Sequence, residues 1–513
     1  DFLEKNQDKH YKLLTTPEGF TKIKEAMQAV DIDMYAECFI LFDECEKLVQ
    51  DVHYRDSIRE PMNDFFRFRD KALISATPIV PEKDNRFDGF TRVLIQPDYA
   101  YQQKLKLITT NNVLATLQEV IEAKRGTVCI FCNSIDSIDS FYRLIPELNN
   151  ACTFCSEDGQ YKLWKGNRRK KSIMITELER YNFFTSRFYS AVDIVCKNPP
   201  HVILISDLYG ATQSVIDPAT EAIQIIGRFR GGVNTVTHIA SIRPDLECMS
   251  ANEIDSWIEG AASIFNGWKK QLARTSNIGE RTLLQEAIGE NSYLPYLDAN
   301  GKPDPFLIAN LYEKEQVKRL YTSADLLCNA YQQTDYFAFS HEERLMPVSD
   351  NERMAIQHRL AKKKRAQLIV HKLEEMEKMS RATDKKLQKR YQRMLGNLIT
   401  TTTDRYLYDC FCRFGGDFIR ESDYNENKLR TALNVSSEHT IKQSGQMKIS
   451  IQRTFPIDSE LSVQEAKSML KQVYKKMGLN TERGITTKEL EQYAEVEKGW
   501  KHDNRTIKIL KFK

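Results

Sequence analysis

Apolar residues in this chain gather in short unbroken runs, separated by longer stretches in which they recur every three or four positions. Phe39-Ile40-Leu41-Phe42, Ala72-Leu73-Ile74 and Val128-Cys129-Ile130-Phe131 are runs of the first kind, as is the stretch His201 to Ser206. A run of this length without polar alternation predicts a strand buried on both faces of a parallel sheet. Ala151 to Ser156, Ser172 to Thr176, Asn182 to Ser186 and Thr237 to Ser241 predict strands on the same ground, and Arg92 to Gln96 adds another. Leu13 to Phe20 reads as a short strand and turn, with helices over Thr21 to Val30 and Asn111 to Lys124. Strands alternating with helices imply an α/β protein with parallel sheets. The expected arrangement is two successive domains of this kind, over 1–95 and 96–245, the first incomplete.

Beyond residue 245 the pattern changes. Residues 246–345 read as a helical extension in which Leu297-Asp298-Ala299-Asn300-Gly301-Lys302 carries an Asn-Gly turn signal. Over 346–399, Ile369, Leu373 and Met376 and then Leu387, Tyr391 and Met394 fall at helical spacing, predicting a helical arm. The last segment, 400–513, reads as a small α+β module. Strand-like runs occur at Arg405 to Phe411 and Lys448 to Arg453, and capping-box patterns at Ser462 to Glu465 and Thr486 to Glu489 open two helices, the first ending near Gly478. A final strand is expected over Thr506 to Phe512.

Composition narrows the class without naming a function. The chain has 513 residues, 41% hydrophobic and 28% charged, ordinary values for globular domains. No run of about 18 apolar residues occurs and the first residues do not form a signal peptide, so a cytoplasmic protein without membrane association is expected. Eleven cysteines spread without disulfide-like density fit a reducing compartment. The net charge is only +3, yet Arg353 to Arg393 holds 14 Lys/Arg against 4 Asp/Glu, a local +10 that leaves 3 − 10 = −7 elsewhere. A polyanion would therefore meet one basic segment rather than a basic protein. Lys362-Lys363-Lys364-Arg365 is its densest row, either a nucleic-acid-tracking element or a solvated helical face.

The candidate chemistry sits where the strands end. Asp43-Glu44-Cys45-Glu46 follows the first apolar run, at the carboxyl edge where open parallel sheets bind ligands. Neighbouring acids there suit a Mg²⁺ ligand and a group that orients or deprotonates water. Ser75-Ala76-Thr77 ends the second run, and Gln224-x-x-Gly227-Arg228-x-Arg230 brings two guanidinium groups together, suited to phosphate. Hydroxyls in Thr15-Thr16-Pro17-Glu18-Gly19 and Thr185-Ser186, with Asp193 beyond the latter, complete the set.

These pieces, in this order, resemble motifs Ib, II, III, V and VI of superfamily 2 helicases. The resemblance covers residues 1 to about 245 and implies tandem RecA-like motor domains, ATP and Mg²⁺ as cofactors, and nucleic acid, DNA favoured, as partner. It implies that Asp43 coordinates Mg²⁺ through water and that Glu44 is the catalytic base. Arg228 and Arg230 would be arginine fingers, Gln224 would contact the nucleotide or its water, and Asp193 and Gly227 would border the nucleotide. Ser75, Thr77 and Glu46 would couple ATP state to domain movement, while Thr15, Thr16, Thr185 and Ser186 would touch nucleic acid.

Two departures stand out. No Gly-x-x-x-x-Gly-Lys-Ser/Thr phosphate loop occurs in the sequence, and the family places one upstream of Thr15, so the chain is expected to lack an N-terminal part. One residue rather than two separates Arg228 from Arg230, a form similar to origin-binding helicases and to those of phages and mobile elements. The resemblance thus implies a helicase or translocase for DNA replication or processing in a bacterial mobile element or phage. A non-catalytic nucleic-acid-binding protein with a degenerate motor, and a translocase subunit of a restriction system, are the alternatives. Cys129-x-x-Cys132 and Cys152-x-x-Cys155 have zinc-ribbon spacing, but residues three apart in a strand face opposite ways, which favours buried thiols. Cys410 and Cys412 are expected on one face of a strand.

Overall fold

A computed structural model describes residues 12–164, 170–175, 177–190, 192–298, 300–354, 361–380, 404–479, 481, 484–501 and 504–513. The chain divides into two compact units, Asp1–Met354 and Ala355–Lys513.

The first unit is α/β. Its strands are β1 Phe39–Asp43, β2 Asp70–Ile74, β3 Gln103–Thr110, β4 Val128–Phe131, β5 Cys152–Phe154, β6 Lys170–Ser172, β7 Tyr181–Phe184, β8 His201–Ser206, β9 Thr235–Ser241 and β10 Phe337–Arg344. Strands β3 to β10 form one eight-stranded, all-parallel sheet in the order β10-β3-β9-β8-β4-β7-β5-β6. Every residue of β4, β7 and β8 is buried, as unbroken apolar runs require when helices cover both faces. Cys129, Phe131, Val202 and Leu204 pack on one side of the sheet; Val128, Ile130, Ile203 and Ile205 pack on the other.

Two strands of this sheet escape the sequence pattern, and a third, β6, ends at Ser172, where the strand expected over Ser172 to Thr176 should begin. In β3, lysines at 104 and 106 alternate with Leu105 and Leu107, so the segment lacks an unbroken apolar run. The other, β10, comes from the segment expected to be helical and pairs in parallel with β3 from Phe337↔Gln103 to Arg344↔Thr110. A boundary at residue 245 therefore does not separate the extension from the sheet. The reverse error occurs at Arg92 to Gln96, which forms no strand and lies exposed. High strand propensity there finds no paired edge among the described residues.

Strands β1 and β2 form a separate two-stranded parallel sheet in register from Phe39↔Asp70 to Asp43↔Ile74. The expectation that β1 is buried on both faces is corrected: Phe39 and Leu41 are 62% and 52% exposed, while Ile40 and Phe42 pack inward. Successive side chains of a strand point to opposite faces, and among the described residues only one face is covered. On that face the core holds Leu48, Val49, Val52, Ile58, Met62 and Phe65. Phe306 and Leu307, from the helix Pro305–Leu320 of the extension, complete it. Just beyond the far end of the same helix, Tyr321 is buried in the core of the large sheet with Tyr331 and Phe337. One helix thus roots in both cores. Leu13 to Thr16 forms no strand, and leads through a short 3₁₀ turn into the expected helix at Phe20–Ala29.

The second unit contains the helices Lys362–Ser380, Arg405–Glu421, Glu426–Gln443, Gly445–Thr454 and Val463–Lys476. Strands β11 Glu460–Ser462, β12 Ala494–Lys501 and β13 Asn504–Phe512 form an antiparallel sheet in the order β11-β13-β12. The strands expected at Arg405 to Phe411 and Lys448 to Arg453 are helices. Tyr406 and Cys410, and Met447 and Ile451, are buried four residues apart, the period of a helix face rather than of a strand. On that helix Cys410 is buried and Cys412 exposed, so the two do not share a face. Ile369, Leu373 and Met376 are buried as the helical spacing predicts; Leu387, Tyr391, Met394 and the basic row Lys385 to Arg393 lie outside the described residues. Both capping boxes form, but the one at Thr486 and Glu489 opens a 3₁₀ segment, Thr487–Gln492. Among the described residues no helix is long and apolar enough to cross a membrane.

Candidate active site

Because β1 and β2 are parallel and in register, Asp43-Glu44-Cys45-Glu46 and Ser75-Ala76-Thr77 leave the small sheet at the same edge. The chain turns sharply there: Glu44 has φ +52°, a left-handed conformation that costs a side-chain-bearing residue energy. Asp43 Oδ1 accepts from Glu44 N at 2.9 Å. The turn leaves Asp43 exposed and carries Glu46 into the interior, 1% exposed. Ser75 Oγ accepts from Thr77 N at 2.9 Å, closing the second turn and fixing the Thr77 hydroxyl inward.

The helix Glu221–Gly227 meets this edge from the large sheet. Gln224 Nε2 donates to Glu46 Oε1 at 2.6 Å and to Thr77 Oγ1 at 2.8 Å, all three residues being buried. Gln224, expected to face the nucleotide or its water, spends its amide hydrogens on these two protein groups. Glu46 Oε2, also buried, has no hydrogen-bond partner. Glu44 has its pKa raised, first by burial and then by the negative charge of Glu46, with the Arg228 guanidinium opposing. A carboxylate whose proton affinity is raised is a better base near neutral pH.

The two arginines have different surroundings. Arg228 is half-buried at the end of the helix, its Nε donating to Gln224 O at 3.1 Å, and its charge acts on Glu44. Arg230 is exposed and ion-pairs with Asp193 at 2.9 Å, so those two candidates meet each other rather than the acidic edge. Gly227 closes the helix before Arg228. Thr185 is buried just past β7, bonded to Phe154 O, while Ser186 is exposed. Thr15 and Thr16 are exposed ahead of the 3₁₀ turn Pro17–Gly19, which is tied to the segment after β1 by Glu18. Arg55 donates to both Glu18 oxygens at 2.8 and 3.0 Å and lowers its pKa strongly.

The sequence gives little warning of what surrounds the helix Glu221–Gly227. Gln50 Nε2 donates to Thr220 Oγ1 at 3.1 Å and to Glu313 Oε1 at 2.9 Å, joining the acidic edge, the start of that helix and the helix Pro305–Leu320. Burial pushes Glu221 up to about 8 and Glu313 to about 7, and raises Asp217. These acids lie far apart in sequence and belong to no motif. His238, in the middle of β9, is buried and depressed to about 3 by burial. Its ring bonds Tyr331 OH at 2.7 Å and Ser206 Oγ at 3.0 Å, and Ser206 in turn bonds Tyr321 OH at 2.9 Å. Tyr321 OH also accepts from Ile216 N and donates to Ile216 O, holding the loop that precedes the helix.

Other sequence candidates disperse. Cys129 and Cys152 lie on one side of the large sheet and Cys132 and Cys155 on the other, and among the described residues no group of three or more potential ligands is placed to hold a metal ion. Lys362 pairs with Glu426, Lys363 with Asp423 at 2.6 Å, and Arg365 with the buried Asp404 at 2.6 Å. Lys364 is exposed with no ion-pair partner among the described residues. The basic row thus spends most of its charge inside its own unit. In comparisons with known proteins, the chain matches no family model and no curated sequence.

Proposed function

We propose that this chain is part of a nucleic-acid-dependent ATPase of the superfamily 2 helicase type, a helicase or translocase of DNA replication or processing in a bacterial mobile element or phage, active in its intact form and inactive without a phosphate loop. The observation that carries the reading is the Gln224 bridge to Glu46 and Thr77. It joins residues from three separated segments to which the helicase resemblance assigns nucleotide contact (Gln224) and the coupling of ATP state to domain movement (Glu46 and Thr77). Asp43, exposed at the strand end, fits a Mg²⁺ ligand acting through water, and Glu46 Oε2, buried two residues beyond Glu44, is left without a hydrogen-bond partner. A bound Mg²⁺ would neutralise phosphate charge. Glu44 serves as base toward an attacking water, and Arg228 supplies positive charge beside it. Arg230, held by Asp193, reaches phosphate only if that exposed ion pair opens. In this reading the two sheets are RecA-like motor domains, and Gln224 reports the nucleotide state of one to the other.

The reading also needs a phosphate cradle and its lysine, which this sequence lacks. A non-catalytic nucleic-acid-binding protein is the second reading, favoured by the same lack. The test is ATP hydrolysis by the full gene product with and without single-stranded DNA. DNA-stimulated hydrolysis that falls at least about a hundredfold in Glu44→Gln and in Arg228→Ala supports the motor. Undiminished hydrolysis in Glu44→Gln refutes the assigned base, and DNA binding without hydrolysis supports the second reading.

A further inference from the structure

The helix Val463–Lys476 in the second unit is sharply two-sided. Ala466, Leu470, Val473 and Tyr474 are buried in the core of the C-terminal module, against Met447, Ile451, Ile507 and Ile509. Its outer face carries Lys467, Lys471, Lys475 and Lys476, all exposed, with Gln464, Ser468 and Gln472 between them. The one acid on the helix, Glu465, is bound back to Ser462 in the capping box. None of the four lysines has an ion-pair partner among the described residues, whereas nearby lysines do: Lys442 with Glu489, Lys498 with Glu491, Lys501 with Glu460 and Lys508 with Asp458.

Elsewhere in the module Lys442, Lys498, Lys501 and Lys508 are neutralised by acids on neighbouring elements, while Lys448, Arg453, Lys488 and Lys511 are exposed with no ion-pair partner among the described residues. On the outer face of this helix positive charge is left open in a regular row, although like charges one helical turn apart repel and an acid at any outer position would relieve them. Lys467, Lys471 and Lys475 lie at i, i+4 and i+8, so they stand in a row about 12 Å long with one charge every ~6 Å. A polyanion with regularly spaced charge relieves this repulsion along the whole row at once. Nucleic acid presents a phosphate about every 3.4 Å per strand, within reach of three long flexible side chains on such a row. Interspersed Gln and Ser side chains add hydrogen-bond donors suited to phosphate oxygens.

We propose that the outer face of the helix Val463–Lys476 is a nucleic-acid-backbone docking surface, with Lys467, Lys471 and Lys475 as phosphate contacts that bind without reading sequence. The inference shares its partner class with the motor reading but rests on the second unit alone, so either can fail without the other.

The test is binding of the full chain to a fluorescein-labelled 30-base-pair DNA duplex, by anisotropy, over 50 to 300 mM salt. In the triple variant Lys467→Gln, Lys471→Gln, Lys475→Gln, the slope of log K against log salt should become shallower by two to three, about 0.9 per lost phosphate contact. Affinity at the lowest salt should fall at least tenfold. The corresponding triple Arg variant should keep the wild-type slope, since charge rather than shape is asked of these positions. Replacing the paired Lys498, Lys501 and Lys508 by Gln should change the slope by less than one. An unchanged slope in the 467/471/475 variant, with a circular-dichroism melting curve matching wild type, overturns the proposal. So does an equal loss in the paired-lysine variant. Retained DNA binding alongside lost binding to phosphatidylserine vesicles overturns it in favour of a membrane surface.

Discussion

Glu221 offers a measurement of the candidate site's wiring that requires no activity. Its carboxylate accepts a hydrogen bond from Asp217 N at 3.0 Å at the start of the helix that presents Gln224 and Arg228. Burial raises its pKa from 4.5 to about 8, with the charges of Asp217 and Glu313 adding to the rise and that of Lys47 opposing it. The folded state therefore holds a proton that the unfolded chain releases near pH 4.5. With the folded pKa raised, the stability Glu221 contributes is fully present below pH 4.5 and is lost as pH rises through 8. At about 1.4 kcal/mol per pH unit, most of that loss falls between pH 5.5 and 8.5, an upper figure of about 3 kcal/mol. Partial exposure of the residue brings the expectation to about 2 kcal/mol.

Glu221→Gln keeps the acceptor for Asp217 N and removes the ionisation. The variant should unfold with nearly wild-type free energy at pH 5.5 and be about 2 kcal/mol more stable than wild type at pH 8.5. His238, depressed to about 3, has the opposite pH dependence but is common to both proteins and cancels in the difference. The assay is urea unfolding by tryptophan fluorescence in a Trp500→Phe background, which leaves emission from the first unit. A difference between variant and wild type that is constant with pH, or that grows in favour of wild type as pH rises, would sink the claim that Glu221 is protonated when folded.

Three further outcomes are expected. Gln224→Leu leaves Glu46 and Thr77 without their shared donor inside the protein, and urea unfolding should show a loss of about 2 to 3 kcal/mol. Tyr321→Phe removes the hydroxyl that joins Ser206 to both polar atoms of Ile216, which should cost about 1 to 3 kcal/mol and speed amide exchange at Ile216. Breaking the exposed Arg230–Asp193 pair by Arg230→Ala should change stability by less than about 1 kcal/mol, so any large effect of that substitution on ATP hydrolysis belongs to the chemistry.

What the sequence made legible follows from which physical signal each feature carries. The unbroken runs at Val128 to Phe131 and His201 to Ser206 announce central strands because burial on both faces excludes polar residues, and both strands form where expected. The edge strand β10 and its neighbour β3 carry no such signal: they pair along their whole length, yet β3 interleaves lysines and β10 ends in His341-Glu342-Glu343-Arg344. The helices at Arg405–Glu421 and Gly445–Thr454 were obscured by β-branched and aromatic residues whose strand propensity yields to packing of an apolar face. At the candidate site, Asp43, Glu44, Thr77 and Gln224 were visible as motif residues. The partnership of Gln224 with Glu46, and the cluster of Gln50, Glu221 and Glu313, depend on contacts between segments up to 263 residues apart, and no local pattern encodes those.

The helix Pro305–Leu320 shows why that distance matters. From sequence it belongs to an appendage. In the fold its first turn places Phe306 and Leu307 in the core beneath β1 and β2, and Tyr321, just past its last turn, is fully buried under the large sheet. Midway, Asn310 Nδ2 donates to Val49 O at 2.7 Å and Glu313 accepts from Gln50, so the helix also grips the segment that follows the acidic edge. At about 1.5 Å per residue its 16 residues span roughly 24 Å, a fixed length between the two cores. Any change in the separation of the two sheets must therefore tilt this helix or pull one end from its core. Exposing Phe306 and Leu307 alone would cost about 3 to 6 kcal/mol of apolar burial. That is large enough to hold one arrangement of the sheets and small enough for ligand binding to oppose. The extension is thus a strut across the candidate site, and a ligand that moves Gln224 relative to Glu46 must work against it.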